Sequence, residues 1–217
     1  MRQSPLLEQY TASAYDVGEV HGMSIALHAN LDGSAENYVA DLSALRRRLL
    51  VGHAVPGWLA RHDISVPAGL LEYRELEHGA VIVRLHRQQY LLIDAIDESP
   101  CDELFALEQR RYDDVLVLPY EAAEIACGGP HVDSLIAELC PMDIASVDRH
   151  SWIATRFSHC ELGLRRLEDP VHYRVLCSPA DARFVFGILC EVTRERDGAV
   201  LGFDDYSALL KRGDRTL

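Results

Sequence analysis

The chain has 217 residues, 48% of them hydrophobic and 25% charged, a composition that excludes a disordered chain and allows roughly 70% of the unfolded surface to be buried on folding. Acidic side chains number 34 against 21 basic ones, giving a formal charge of -13. That charge repels a phosphate backbone or an anionic bilayer, so neither nucleic acid nor a membrane is expected as a partner.

Residues 1–40 read as an N-terminal arm. The first ten include Arg2, Gln3 and Glu8 and carry no continuous apolar run, so neither a signal peptide nor a membrane span is expected and the protein is read as cytoplasmic. A strand is predicted over 23–28. Leu6, Leu7 and Tyr10 have no evident core role and are expected to form part of an exposed apolar docking patch.

A first half is expected over 41–110. Arg46, Arg47 and Arg48 read as the exposed start of a strand that continues through Leu49, Leu50 and Val51 to Gly52. A helix is predicted over 54–62, then strands over 70–76, 80–85 and 90–95, the last two joined by a turn at 86–89. Ser99 and Pro100 are placed at the start of a further helix, Ser to cap its free amides and Pro as its first residue.

The second half, 111–196, repeats this order. Asp113 and Asp114 lead into a strand over 115–118, and Ile125, Ala126 and Cys127 form another that ends at the Gly128–Gly129 turn. A helix follows over 131–140, then strands over 152–157, 161–167 and 173–177, with a wider turn at Glu168, Asp169 and Pro170. Ser178 and Pro179 again precede an apolar helix, through Phe184, Val185, Ile188 and Leu189. Residues 197–217 hold a C-terminal helix near 206–211, capped by Asp204 or Asp205 and ended by Gly213.

The parallel is an internal repeat. Gly52 corresponds to Gly129 (129 minus 52, an offset of 77), Tyr90 to Tyr173, and the Ser99–Pro100 pair to Ser178–Pro179. Both glycine segments follow a short apolar run, Leu49–Leu50–Val51 in one copy and Ile125–Ala126–Cys127 in the other. The order of strand, helix, two or three strands and helix defines an α+β protein of two ferredoxin-like split β-α-β repeats, each with helices on one face of an antiparallel sheet, expected to pack with pseudo-twofold symmetry.

Chemistry is sparse. The ten histidines include no HExxH spacing, and the six cysteines, Cys101, Cys127, Cys140, Cys160, Cys177 and Cys190, form no CxxC pair. They read as free, buried thiols, Cys140 at a helix C-terminus, where the dipole does not favour a thiolate. His159–Cys160 reads as a turn entering a strand. No GxSxG, Walker A or GxGxxG motif occurs. Trp58 and Trp152 read as core residues. No catalytic and no metal-binding residue is assigned, and the residues singled out, Gly52, Gly129, Ser99, Pro100, Ser178 and Pro179, are structural.

Asp41–Leu42–Ser43, the run from Leu49 to Gly52, Trp58–Leu59–Ala60 and the hairpin from Gly79 to Leu85 into Tyr90–Ile93 resemble the aminomethyltransferase fold of the glycine cleavage T-protein. The second half, with Gly129–Pro130, Leu135, the run Cys140 to Ile144 and Tyr173–Leu176, resembles the gamma subunit of heterotetrameric sarcosine oxidase. The resemblance spans roughly residues 38 to 195. It implies a small subunit bound to a large flavin-containing oxidase subunit that carries FAD and NAD, and a fold whose relatives bind tetrahydrofolate. T-proteins carry an Asp-Asp pair in the first hairpin, where this chain has Ala80–Val83. The KGCYxGQE signature of the standalone folate-dependent relatives does not occur, and the T-protein's additional C-terminal barrel is not expected in these 217 residues. The function implied is a non-catalytic subunit of an oxidase that demethylates a small N-methyl amino acid such as sarcosine; the alternatives are a standalone folate-binding protein and an orphan interaction scaffold.

Overall fold

The computed structural model describes residues 2–10, 14–29, 36–168 and 171–213. In chain order the strands begin with β1 (Arg2–Gln3), β2 (Tyr15–Val20), β3 (Met23–Ala29), β4 (Tyr38–Asp41) and β5 (Arg47–Val51), after which helix α1 (Val55–Ala60) leads to β6 (Glu72–Glu75), β7 (Val81–His86) and β8 (Gln89–Ile93). Helix α2 (Asp102–Ala106), β9 (Arg110–Tyr112), β10 (Val115–Pro119), β11 (Ala123–Gly128) and α3 (Val132–Leu139) follow. The chain continues through β12 (Ile153–Phe157), β13 (Cys160–Glu168), β14 (Val171–Cys177), α4 (Ala182–Arg194), β15 (Ala199–Leu201) and α5 (Phe203–Gly213). Part of the predicted turn at 168–170 lies outside the described residues.

These elements form two compact units. An inserted unit comprises Leu45–Glu121 and His150–Trp152; a terminal unit comprises Met1–Ala44, Ala122–Arg149 and Ile153–Leu217. The inserted unit is built on one six-stranded sheet in the order β6-β7-β8-β5-β10-β9, antiparallel throughout. Leu50, Ile82, Tyr90, Leu92 and Val117 on the sheet form one core with Trp58 and Leu59 of α1 and Leu104 and Phe105 of α2. Val81, Val83, Leu91 and Ile93, which alternate with these positions, are buried as well. Val81–Val83 of β7 and Tyr90–Ile93 of β8 are thus buried on both faces and read as continuous apolar runs without a polar face.

The terminal unit holds a six-stranded sheet in the order β12-β13-β14-β11-β4-β15, in which only β15 runs parallel to its neighbour, and a three-stranded sheet β1-β3-β2. Val39, Ile125, Cys127, Tyr173 and Val175 form its core with Leu135 and Ile136 of α3 and Val185, Phe186 and Leu189 of α4.

Both sheets carry the split order of a ferredoxin-like unit, and the edge strands are exchanged between the repeats. β4 directly precedes β5 in the chain and pairs with β11; β10 directly precedes β11 and pairs with β5. The domain boundaries therefore differ from those read along the sequence, because 115–119 belongs with the first repeat and 36–44 with the second. The register agrees with the Gly52–Gly129 correspondence. Tyr90 pairs with Leu50 and Tyr173 with Cys127, while Val117 pairs with Leu50 and Val39 with Cys127. Leu50 is thus equivalent to Cys127, at the same offset that relates Gly52 to Gly129.

Two further expectations are overturned. Leu6 is fully buried and Tyr10 is 7% exposed, both within the terminal core, with Leu7 packed against it. The arm is latched by Asp41: Ser4 Oγ donates to Asp41 Oδ2, and the Asp41 amide donates to Tyr10 Oη at 3.1 Å. Those residues build the fold and do not form a docking patch. The arginine run is likewise not an exposed strand start. Arg47 is 5% exposed, Arg46 Nε donates to the buried Asp94 at 2.6 Å and its Nη2 to Asp102, and Arg48 Nη2 donates to the Phe105 carbonyl at 2.5 Å.

Candidate functional site

Gly52 and Gly129 end the equivalent strands β5 and β11. They have φ of 146° and 117°, a region that L side chains rarely adopt. A Cβ on Gly52 would lie 2.2 Å from the Asp114 carbonyl oxygen, and one on Gly129 would lie 2.4 Å from that of Glu36. These carbonyls precede β10 and β4, so each glycine lets an exchanged edge strand close on the strand it borrows. Ser99 and Ser178 also occupy matching places. Their hydroxyls accept from Cys101 and Ala180 N at 3.2 Å, closing short turns, and Pro100 and Pro179 sit within those turns. The helices start only at Asp102 and Ala182, so the Ser-Pro pairs stand ahead of the caps rather than at them.

The richest chemistry in the described residues lies on the terminal sheet, on the face away from α3 and α4. Along β11 the alternation turns Ala123, Ile125 and Cys127 to the helices and Glu124 to the other side. Glu124 is 1% exposed; its Oε1 accepts from Arg174 Nε at 2.9 Å and lies 3.8 Å from Arg165 Nη2. Arg174 Nη1 donates to Tyr206 Oη of α5 at 3.2 Å. The Tyr206 ring lies 5.8 Å from that of Tyr38 and 6.2 Å from that of His172. Burial works against the charge of Arg174, but Tyr206 and Glu124 outweigh it and hold the guanidinium above its ordinary range. Burial pushes the Tyr206 and Tyr38 hydroxyls well up, so both stay neutral. This buried, ionised layer ties β11, β13, β14 and α5 together and presents no nucleophile to solvent. The sequence reading missed it, although Glu124 and Arg174 stand out as single charges inside apolar strand runs.

Nucleophilic chemistry finds little support elsewhere. All six cysteines are free and buried. Burial pushes the Cys101 thiol up to about 11 and those of Cys127 and Cys190 up to about 12. His159, in the turn before β13, lies against Phe184 at 4.8 Å between ring centroids. The half-exposed His28 faces Asp205 through Nδ1 at 3.1 Å and Asp204 through Nε2 at 3.5 Å, which occupies both ring nitrogens. The Asp205 hydrogen bond raises its pKa. Among the described residues no group of three or more His, Cys, Asp or Glu side chains is placed to hold a metal ion.

The stretch where the sequence resemblance implies an acidic pair, Ala80–Val83, leads into and begins β7. Ala80, Val81, Ile82 and Val83 are all fully buried, and the strand supplies no carboxylate. These residues do not fit folate-dependent group transfer at that position. A surface cavity of about 320 Å3 opens at one end of the inserted sheet, lined by Gly52, His53, Gln88, Arg111 and Asp114 above Val51 and Leu116.

The sheet orders and exchanged edges define the aminomethyltransferase-like fold class. Among solved structures, the glycine cleavage system aminomethyltransferase T from Bartonella henselae aligns over 94% of this chain with a TM-score of 0.70 and 14% identity. The chain spans 60% of the length of that enzyme. A chain of the heterotetrameric sarcosine oxidase from Corynebacterium sp. U-96, in complex with pyrrole 2-carboxylate, aligns over 89% of this chain and 95% of its own length, with a TM-score of 0.61 and 17% identity. At such identities the likeness establishes the fold. No family model and no curated protein sequence matches the chain. Among the described residues no helix is long and apolar enough to cross a membrane.

Proposed function

We propose that this protein is a non-catalytic small subunit of a heteromeric flavin-dependent oxidase that demethylates a small N-methyl amino acid such as sarcosine. The observation that carries the reading is the shared fold: the chain aligns over 89% of its length with a chain of a heterotetrameric sarcosine oxidase at a TM-score of 0.61. The buried thiols, the doubly engaged His28 and the apolar β7 hairpin favour a chain whose fold serves an assembly over one that runs its own chemistry. In this reading FAD and NAD are held by the large partner subunit, and tetrahydrofolate has no role in catalysis by this chain.

Co-expression with a flavin-containing large oxidase subunit tests the proposal. The expected result is a stable complex that oxidises an N-methyl amino acid and loses activity when this chain is omitted. Two separately eluting proteins, with full activity in the flavoprotein alone, would reject it.

A further inference from the structure

The start of α5 is fastened to the end of β3 by one aspartate. Asp205, the third residue of the helix, accepts the Ala29 amide at 2.6 Å and the Gly202 amide at 3.2 Å through Oδ2. The second bond caps the helix, since Gly202 immediately precedes α5 and its amide, like those of the first turn, lacks an intrahelical acceptor. The two elements also meet closely: a Cβ added to Gly202 would collide with the Leu27 carbonyl oxygen. The next residue along, Tyr206, is fully buried, and its hydroxyl accepts from Arg174 in the buried charged layer. What holds Asp205 in place therefore also holds Tyr206 on Arg174.

The other oxygen of Asp205 faces a group that titrates. His28 Nδ1 lies 3.1 Å from Asp205 Oδ1, and its Nε2 lies 3.5 Å from Asp204 Oδ2. Across the β2–β3 ladder His28 is paired with Asp16, which brings a third carboxylate to the same face of the sheet. A neutral imidazole has one N–H and one bare nitrogen. With carboxylates at both nitrogens, the neutral ring sets a lone pair against an anion whichever tautomer it adopts. Only the imidazolium donates to both. The Asp205 hydrogen bond does most to raise the His28 pKa; desolvation opposes it, and the charges of Asp205, Asp204 and Asp16 reinforce it. An imidazole held above its ordinary value of about 6.5 stabilises the junction fully below that pH, and the contribution is lost as pH rises through the raised value. Loss of the ring proton leaves three carboxylates around an uncharged side chain.

We propose that the β3–α5 junction is a pH-sensitive latch, closed while the His28 imidazolium bridges Asp204 and Asp205 and loosened when the ring is neutral. Loosening raises the fraction of molecules in which the first turn of α5, and Tyr206 with it, leaves the buried layer. The latch lies wholly within the terminal unit and requires no partner chain.

Amide hydrogen exchange of the full chain between about pH 5.5 and 9, expressed as protection factors so that the intrinsic pH dependence of exchange is removed, tests it beside an NMR titration of the imidazole signals. His28 is expected to titrate above about 6.5. The Ala29 and Tyr206 amides, bonded to Asp205 and to the Gly202 carbonyl, should lose protection by about two- to fivefold across the same midpoint, a change on the scale of an exposed ion pair. Asp204→Asn, which removes one carboxylate and no backbone bond, should lower the midpoint and shrink the loss. His28→Gln should give protection at these amides that does not vary across the window. A His28 midpoint at or below about 6.5, protection that stays constant through the His28 titration, or the same loss in His28→Gln would overturn the proposal.

Discussion

At the scale of single residues, the two strand-ending glycines make opposite predictions to glycines in open space. Gly52→Ala and Gly129→Ala should each destabilise by about 1–3 kcal/mol or more, since the new methyl meets a backbone carbonyl and the conformation itself is strained. Gly187→Ala, inside α4 with nothing within 4 Å of the added Cβ, should stabilise by roughly 0.5–1 kcal/mol. Urea unfolding of the three variants checks both signs. Glu124→Ala removes the carboxylate bonded to Arg174 in the buried layer and should cost about 3–5 kcal/mol by the same assay.

The thiols give a pH prediction. Their folded values, about 11 for Cys101 and about 12 for Cys127 and Cys190, lie above the roughly 8.5 of an unfolded thiol. Between those values the native state binds more protons than the unfolded one. The stabilisation is complete below about pH 8.5 and is lost as pH rises toward 11 and 12. The urea midpoint should therefore fall through that window. At neutral pH a thiol reagent should find the native cysteines unreactive and should label all six after denaturation. The glycines were legible in the sequence because a repeated Gly after an apolar run has one mechanical meaning. Glu124 and Arg174 were not, because a lone charge in a strand reads as its solvent face until both faces are seen to be buried.

At the scale of elements, the strand exchange decides which segments unfold together. A sequence reading pairs neighbours, as short connections usually require, and no local signal says that β4 skips β5 to join β11. Tyr90 and Tyr173 fix the equivalent strands, and the ladder pairs them with Leu50 and Cys127, as the Gly52–Gly129 correspondence requires. Val39→Ala, in β4, should reduce hydrogen-exchange protection in β11 and β14 of its own sheet and leave β5 and β8 unchanged. Loss of protection in β5 instead would contradict the exchange. The arm was misread for a related reason: Leu6, Leu7 and Tyr10 lie outside the repeat, and Asp41, which holds Ser4 and Tyr10, is 37 and 31 residues away from them. Leu6→Ala should cost about 2–5 kcal/mol as a fully buried truncation, measured by thermal or urea unfolding.

At the scale of the whole molecule, the fold class was legible because order and periodicity repeat, while function was not, because the residues that set this chain apart are structural. The fold is shared with an aminomethyltransferase and with a chain of a heterotetrameric oxidase, and fold alone does not assign function. What distinguishes the two readings is whether the chain works alone or in an assembly. The most direct measurement is native mass spectrometry of the chain, affinity-purified from cells that also express a flavin-containing large oxidase subunit. The account predicts one complex of fixed stoichiometry containing this chain, the large subunit and bound flavin. A chain that emerges solely at its own mass of 24.3 kDa, with the flavoprotein absent from the preparation, would contradict it.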